Sequence, residues 1–238
     1  MRFLGSIWRT LLALLGKSTP ANRAEGDVDR LIAETFFRDR RGIFVEVGAA
    51  RPDFLSVSAW FRSNSWRVIA IEPIPHFCEL QRRAGNEVLQ YACGEEDRDD
   101  VDFTVVNSHG ADYEGGKVSF ESFSSLGIKE NYRSLKPDLD TSVIKVRVRR
   151  LDTILRQHAP DVERIDILSI DVEGWELEVL NGLNFDRHRP RVMVIENLFS
   201  TPQYEAYAAQ RGYVLWHRAF PNEVYVDREL MTQGPAGR

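Results

Sequence analysis

The sequence predicts an α/β fold: a mostly parallel sheet with helices on both faces and an antiparallel hairpin at its C-terminal end. Three observations carry this. Strand-length apolar runs alternate with helix-spaced segments from residue 43 onward, the pattern of strand–helix–strand units. One run, Ile165 to Ile170, is closed by Asp171, Glu173 and Gly174, as expected of a buried parallel strand meeting a turn. Near the end, Tyr213 to His217 and Glu223 to Val226 flank Pro221-Asn222, a hairpin composition.

The elements follow in order. Val28, Leu31, Ile32, Thr35 and Phe36 recur at helical spacing, and Gly42 is expected to end that helix. Ile43 to Val47 is the first strand, Phe54 to Arg62 a helix and Arg67 to Ile71 the second strand. Pro75 suits a first helical position, with Phe77 and Leu80 on an apolar side. Val88 to Tyr91 is a short third strand. Val101 to Val106 and Val143 to Val148 alternate as strands around a polar insertion at about 107–142, a length that suggests a substrate-side loop or lid. Leu151 to His158 is a helix, then come the Ile165 strand, a helix from Trp175 to Asn181, the strand Arg191 to Ile195, and a helix from Gln203 to Gln210 closed by Gly212.

At 238 residues with 43% hydrophobic and 28% charged content, one large domain over 27–230 is expected. A net charge of −5 argues against a nucleic-acid partner. Cys78 and Cys93 have no metal-ligand spacing and suit reduced thiols in a cytoplasmic protein. Residues 1–26 form an arm and linker. Phe3, Leu4, Ile7, Trp8, Leu11, Leu12, Leu14 and Leu15 are interspersed with Arg2, Arg9 and Lys17, too short a run to span a membrane. An arm packed on protein is the expected reading, with a helix on a membrane surface as the other. Residues 231–238 are a flexible tail.

Function concentrates at strand ends, where open α/β sheets bind ligands. Phe44 to Pro52 is a strand followed by a tight turn, and Gly48, Ala49 and Ala50 are small enough to admit a ligand to the backbone. Glu72 ends the second strand 24 positions after Gly48, where an acid can accept from both ribose hydroxyls. Arg51-Pro52 replaces the later glycines of a dinucleotide loop, and Glu46 places an acid nearby. That chemistry disfavours a pyrophosphate and suits a cationic nucleoside, S-adenosylmethionine, over NAD.

These residues carry a resemblance. Phe44-Val-Glu-Val-Gly-Ala49, Ile71-Glu-Pro73, Ala92-Cys-Gly94, Leu151-Asp-Thr-Ile154, Ile165-Asp-Ile-Leu-Ser-Ile-Asp-Val-Glu-Gly174, Glu176 and Pro190-Arg-Val-Met-Val-Ile-Glu-Asn197 resemble the FkbM-type, class I S-adenosylmethionine-dependent methyltransferases, from about Arg41 to Val226. The resemblance implies a Rossmann-like seven-stranded sheet ending in a reversed hairpin. It also implies methyl transfer to oxygen, commonly a sugar, glycan or polyketide-like hydroxyl. Glu46, Gly48 and Ala49 would flank the methionine part of the cofactor, Glu72 would hold the ribose, and Ala92 and Cys93 would line the adenine. Ala50, Ser56, Pro73 and Asp171 would also belong to the cofactor site. Arg51-Pro52 and Trp175 depart from the family pattern at the cofactor loop and near the acceptor pocket.

A hydroxyl must lose a proton to accept a methyl group, so a base or a metal is needed. Asp171 and Glu173 are the candidate catalytic carboxylates. Asp171, Glu196 and Asn197 end two strands expected to be neighbours. They form an oxygen set that suits Mg²⁺ and is similar to the metal site of catechol-type O-methyltransferases. Helix capping by Asp171 and backbone bonding by Glu196, with no metal, fit the same sequence. His109 and His217 are within plausible reach of the acceptor, as are Ser122, Ser124 and Ser125, although solvated loop serines are the expectation. Trp60, Trp66, Trp175, Phe120, Phe123 and Tyr132 offer stacking or core packing. The competing functions are an NAD-type oxidoreductase, against which stand the missing glycines, and a non-catalytic nucleotide-binding module.

Overall fold

A computed structural model describes residues 24–232 apart from 53, 108–110, 114–115, 119–123 and 136–139. Residues 1–23 of the N-terminal arm, residues 233–238 of the tail, His109, Phe120, Ser122 and Phe123 lie outside the described residues, and the start of the expected flexible tail is helical as far as Thr232. A short turn, Glu25–Asp27, leads into α1 (Val28–Phe36) and β1 (Ile43–Val47). Then follow α2 (Ala59–Ser63), β2 (Arg67–Ile71), α3 (Pro75–Arg83), β3 (Glu87–Leu89), β4 (Ala92–Cys93) and β5 (Arg98–Val106). The insertion contains β6 (Ala111–Tyr113), β7 (Gly116–Val118) and α4 (Glu130–Leu135). The second half comprises β8 (Thr141–Arg149), α5 (Leu151–His158), β9 (Ile167–Ile170), α6 (Glu176–Asn181), α7 (Phe185–His188), β10 (Val192–Glu196), α8 (Pro202–Gln210), β11 (Tyr213–Ala219), β12 (Asn222–Asp227) and α9 (Arg228–Thr232).

The main sheet has seven strands in the order β11-β12-β10-β9-β1-β2-β3. Pairs from β10 through β3 are parallel, and β12 runs antiparallel to both β10 and β11. Strands β9 and β10 are buried at every position, as parallel strands covered on both faces must be. One face packs Val45, Ile69, Leu168 and Met193 against Leu151, Ile154 and Leu155 of α5, Val179 and Leu180 of α6, and Tyr204 of α8. The other packs Phe44, Val192 and Val194 against Val28, Ile32 and Phe36 of α1 and Phe61 of α2.

Three features differ from the expected pattern. Strands β5 and β8 leave the main sheet and form an antiparallel ribbon, with β4 added parallel to β8. Their half-exposed burial pattern marks them as ribbon strands with one wetted face. The expected helix over 54–62 begins only at Ala59, because Leu55 is left-handed (φ +52) and the Ser56 and Ser58 hydroxyls bond to Glu46. Gly42 does not end α1, which stops at Phe36. A Cβ at Gly42 would meet the Asp166 carboxylate at 2.3 Å, so the glycine serves close packing.

The hairpin is locked at its base by Asp227, which is fully buried. Its Oδ2 accepts from Arg189 Nε at 2.7 Å, and its Oδ1 accepts the backbone N–H of Glu229 at the start of α9. Replacing Asp227 with alanine leaves Arg189 facing a buried void. Because half of that pair is partly solvated, the expected loss is about 2 kcal/mol, below the range for fully buried pairs. Urea denaturation measures it, and an unchanged midpoint would contradict the assignment.

Candidate active site

Going along the chain, the sheet grows outward from β1 through β2 to β3, then restarts on the other side of β1 with β9. The crevice between the carboxyl ends of β1 and β9 is where such sheets bind ligands. The two strand ends touch there. Gly48 has φ +83, and a Cβ on it would lie 1.8 Å from the Asp171 carbonyl oxygen. Above this junction opens a cleft. Its walls include Gly48 and Ala50 after β1, Glu72 and Pro73 after β2, Ala92 and Cys93 in β4, and Asp171 and Trp175 after β9.

Glu72 is set by backbone donors. Its Oε2 accepts from Ala50 N at 2.9 Å and its Oε1 from Ile74 N at 2.8 Å, so each oxygen keeps acceptor capacity. Burial raises its pKa to about 7; the two backbone bonds oppose that, and Glu46 and Asp171 add to it. Gln81 of α3, which the sequence reading missed, donates from Nε2 to the carbonyls of Ala49 and Ala50 and fixes the turn from behind. Cys78 and Cys93 are buried free thiols. Burial pushes Cys78 up to about 12 and raises Cys93 further, so neither is a nucleophile at neutral pH.

Glu46, Ala49 and Ser56, expected beside the cofactor, are not among the residues lining the cleft. The Glu46 carboxylate is occupied from behind: it accepts from Ser58 Oγ at 2.5 Å, Ser56 Oγ at 3.3 Å and Arg62 Nη1 at 3.5 Å. It ties the 54–63 segment to β1 without facing the cleft.

The other side of the cleft is acidic. One carboxylate oxygen from each of Asp171, Glu173 and Glu196 lies within 4.8 Å of the others. Asp171 is exposed to the cleft, whereas Glu173 and Glu196 are buried. Desolvation by the protein packed around the cleft floor, then the Glu176 and Glu46 charges, raise Asp171 to about 7, against a hydrogen bond with Glu196. Burial and the neighbouring acids hold Glu173 and Glu196 well above the ordinary carboxylate range. Glu25, from the turn before α1, joins this field: burial and Asp171 raise it to about 8. No periodicity pointed to it.

Asn197 is not available as a metal ligand. Its Nδ2 donates to Thr201 O and Glu223 Oε2, and its Oδ1 accepts from Thr201 N and Oγ1. It braces the loop after β10 instead, and Glu173 takes its place beside Asp171 and Glu196. The acid loop is itself clamped. Glu176 Oε1 accepts the backbone N–H groups of Val172 and Gly174, and its Oε2 accepts from Tyr204.

The insertion closes over this side. Ser124 and Ser125 are buried and line the cleft, contrary to the expectation of solvated serines. Lys129 Nζ donates to Gly174 O, pairs with Glu178 at 3.3 Å and sits 4.5 Å from the centre of the Trp175 ring. The indole N–H of Trp175 donates to Gly127 O, and Tyr132 donates to Glu196 Oε2 at 3.1 Å. His217, on edge strand β11, stacks beside Trp216 and does not line the cleft. Trp60 and Trp66 pack against Phe61 in the core.

The chain is similar to known proteins over most of the region that builds this cleft. The family described as the methyltransferase FkbM domain matches residues 46–215. The chain belongs to this family. Methyltransferase sdnD of Sordaria araneosa is 38% identical over 80 residues, which cover 29% of this chain and 31% of sdnD. The crystal structure of methyltransferase FkbM from Methylobacillus flagellatus KT is 17% identical, with a TM-score of 0.45; the match covers 82% of this chain and 47% of that one. The chain thus spans less than half the length of either protein. The FkbM domain here contains no helix, among the described residues, long and apolar enough to cross a membrane.

The carboxyl cluster sets a pH dependence. Glu25, Glu72 and Asp171 hold protons to about pH 8, 7 and 7, against ordinary values near 4 in the unfolded chain. The folded protein therefore binds more protons than the unfolded chain across this window, and stability falls as pH rises through it. His188, whose pKa burial lowers, acts oppositely but is one group against three. The melting temperature at pH 8.5 is expected to lie about 5 °C or more below that at pH 5.5. A melting temperature that rises with pH would contradict the buried cluster.

Proposed function

We propose that this FkbM domain transfers a methyl group from S-adenosylmethionine to a hydroxyl of a sugar, glycan or polyketide-like acceptor. The observation that carries the reading is Glu72. It stands in the cleft wall on two backbone N–H groups, with acceptor capacity left on both oxygens for a pair of vicinal ribose hydroxyls. Gly48, Ala50 and Pro73 admit the ligand close to the backbone, and Ile74, Phe77, Ala92 and Cys93 give an apolar wall for a base. When bound, S-adenosylmethionine supplies an electrophilic sulfonium methyl.

The donor's charge fits the wall. Glu72 and Asp171 face the cleft, with Glu46 close behind, and this acidic surround suits a cation and repels a pyrophosphate. NAD is the poorer ligand on that ground. Asp171, exposed to the cleft and raised to about 7, is the carboxylate placed to take the acceptor's proton near neutral pH. Glu173 is buried outside the cleft wall and does not meet the acceptor directly. A divalent ion such as Mg²⁺ on the carboxylate cluster is a second route to an acidified hydroxyl, favoured by the 4.8 Å convergence of three carboxylates. Trp175 and Ser125 stand on the wall shared by the insertion and the acid loop, where an acceptor ring would stack and be held.

Calorimetry with S-adenosylmethionine, S-adenosylhomocysteine and NAD tests the cofactor; binding of NAD alone would sink the reading. Glu72→Ala is expected to weaken donor binding about 10- to 100-fold, the loss of hydrogen bonds to a charged acceptor. Asp171→Asn is expected to weaken donor binding less than Glu72→Ala does and to lower turnover about 100-fold or more. Transfer of labelled methyl to a panel of hydroxylated acceptors provides the assay, and full turnover by Asp171→Asn would remove that carboxylate from the chemistry.

A further inference from the structure

We infer that Ser125 is a specificity-determining residue of the cleft: its hydroxyl hydrogen-bonds an oxygen of an uncharged acceptor, at a position other than the hydroxyl that receives the methyl group. The inference rests on the methyl-transfer reading and narrows its acceptor class. Neutral hydroxylated compounds belong to that class, and phosphorylated or nucleotide-linked sugars do not.

Ser125 is built into the wall. Its backbone N–H donates to Thr104 O at 3.0 Å, and its carbonyl accepts from Thr104 N at 2.9 Å, a reciprocal bridge to β5. Strand β5 is in turn paired with β8. Ser125 is only 3% exposed and lines the cleft, yet its Oγ has no hydrogen-bond partner among the described residues. Buried hydroxyls ordinarily find a partner, and one left without is costly. The adjacent serine shows the ordinary case: Ser124 Oγ accepts the backbone N–H of Val106 at 2.9 Å and holds the insertion to β5. Because the bridge fixes the Ser125 backbone, its hydroxyl is a preorganised donor and acceptor at the cleft wall.

Its place in the wall assigns the hydroxyl to the acceptor. Two residues beyond Ser125, Gly127 O accepts the indole N–H of Trp175 at 3.1 Å, and Lys129 lies over that ring. The indole is thereby fixed on the acid-loop side of the cleft, and Ser125 shares that wall. Asp171 takes the reacting hydroxyl, so Ser125 meets a different oxygen of the same molecule. Charge sets the class. The charged side chains on the cleft wall are Glu72 and Asp171, with Glu173 and Glu196 close to Asp171. Lys129 is engaged by Gly174 O and Glu178, and Arg62 by Glu46. A phosphate or carboxylate entering this cleft would lose its water against charges of its own sign. A neutral hydroxylated ring would meet Trp175, the apolar Phe103, Leu126 and Val172, and the Ser125 hydroxyl.

The test uses the full chain. Calorimetry with S-adenosylhomocysteine compares wild type with Ser125→Ala, a change that removes one oxygen and leaves the Thr104 bridge in place. The two affinities are expected to agree within about twofold; a loss of about tenfold would assign the hydroxyl to the donor and overturn the inference. Labelled-methyl transfer is then measured on neutral methyl glycosides and phenols, and on phosphate esters of the same compounds. For the best neutral acceptor, Ser125→Ala is expected to raise KM about tenfold with kcat held within about threefold. A deoxy analogue lacking the anchored oxygen should show no difference between the two proteins. The phosphate esters are expected to fall about 100-fold or more in kcat/KM. Equal KM in both proteins for every neutral acceptor overturns the inference, as does turnover of phosphate esters alone or of no neutral compound by a chain that binds S-adenosylhomocysteine. A wild-type chain that binds no S-adenosylhomocysteine fails the methyl-transfer reading itself, and the donor titration reads that result separately.

Discussion

The contact between the Gly48 turn and the Asp171 carbonyl is the constraint on which the rest of the site depends. A side chain cannot fit there, so the ends of β1 and β9 lie against each other. That contact brings the turn after β1 and the acid loop after β9 to one crevice. Gln81 and Glu72 stabilise one lip through the carbonyls and N–H groups of the 48–50 turn. Glu176 stabilises the other lip through the N–H groups of the acid loop. Each lip is thus held by a side chain reaching from a neighbouring element to backbone, an arrangement that limits drift of the chemistry-bearing groups.

The insertion adds a second layer of control. Lys129 caps the Gly174 carbonyl, lies over Trp175 and pairs with Glu178, while Tyr132 reaches Glu196. The insertion is therefore bonded to the same loop that carries the acids. The insertion and the acid geometry are mechanically linked, because moving the insertion removes the partners of Gly174, Trp175 and Glu196 together.

Much of the fold is legible from hydrophobic pattern. Strands β2, β9 and β10 are mainly apolar runs that end at an acid, β1 is apolar apart from Glu46, and the sheet carries them where that pattern puts them. Where polar side chains choose among partners, the pattern is silent. Ser56 and Ser58 bond to Glu46 and so delay α2, and no periodicity conveys that choice. Asn197 carries the right chemistry for a ligand, but Thr201 and Glu223 claim its amide. Glu25 and Tyr132 lie far along the chain from the acids they meet, so only the tertiary structure brings them together. The carboxyl ends of strands are readable as a working edge; the identity of the third acid depends on a left-handed turn at Glu173, which a residue type alone does not announce.

The outer margins of the sheet show how the protein keeps to itself. Strand β3 at one end has three residues, and its Glu87 is paired with Arg67. Strand β11 at the other end breaks register between Leu215 and His217, and Arg218 projects from it to Glu205 and Glu223. A short edge and a bulged, charged edge are poor templates for a further strand. The unpaired backbone groups of a seven-stranded sheet are a standing invitation to aggregation, and here neither margin extends it.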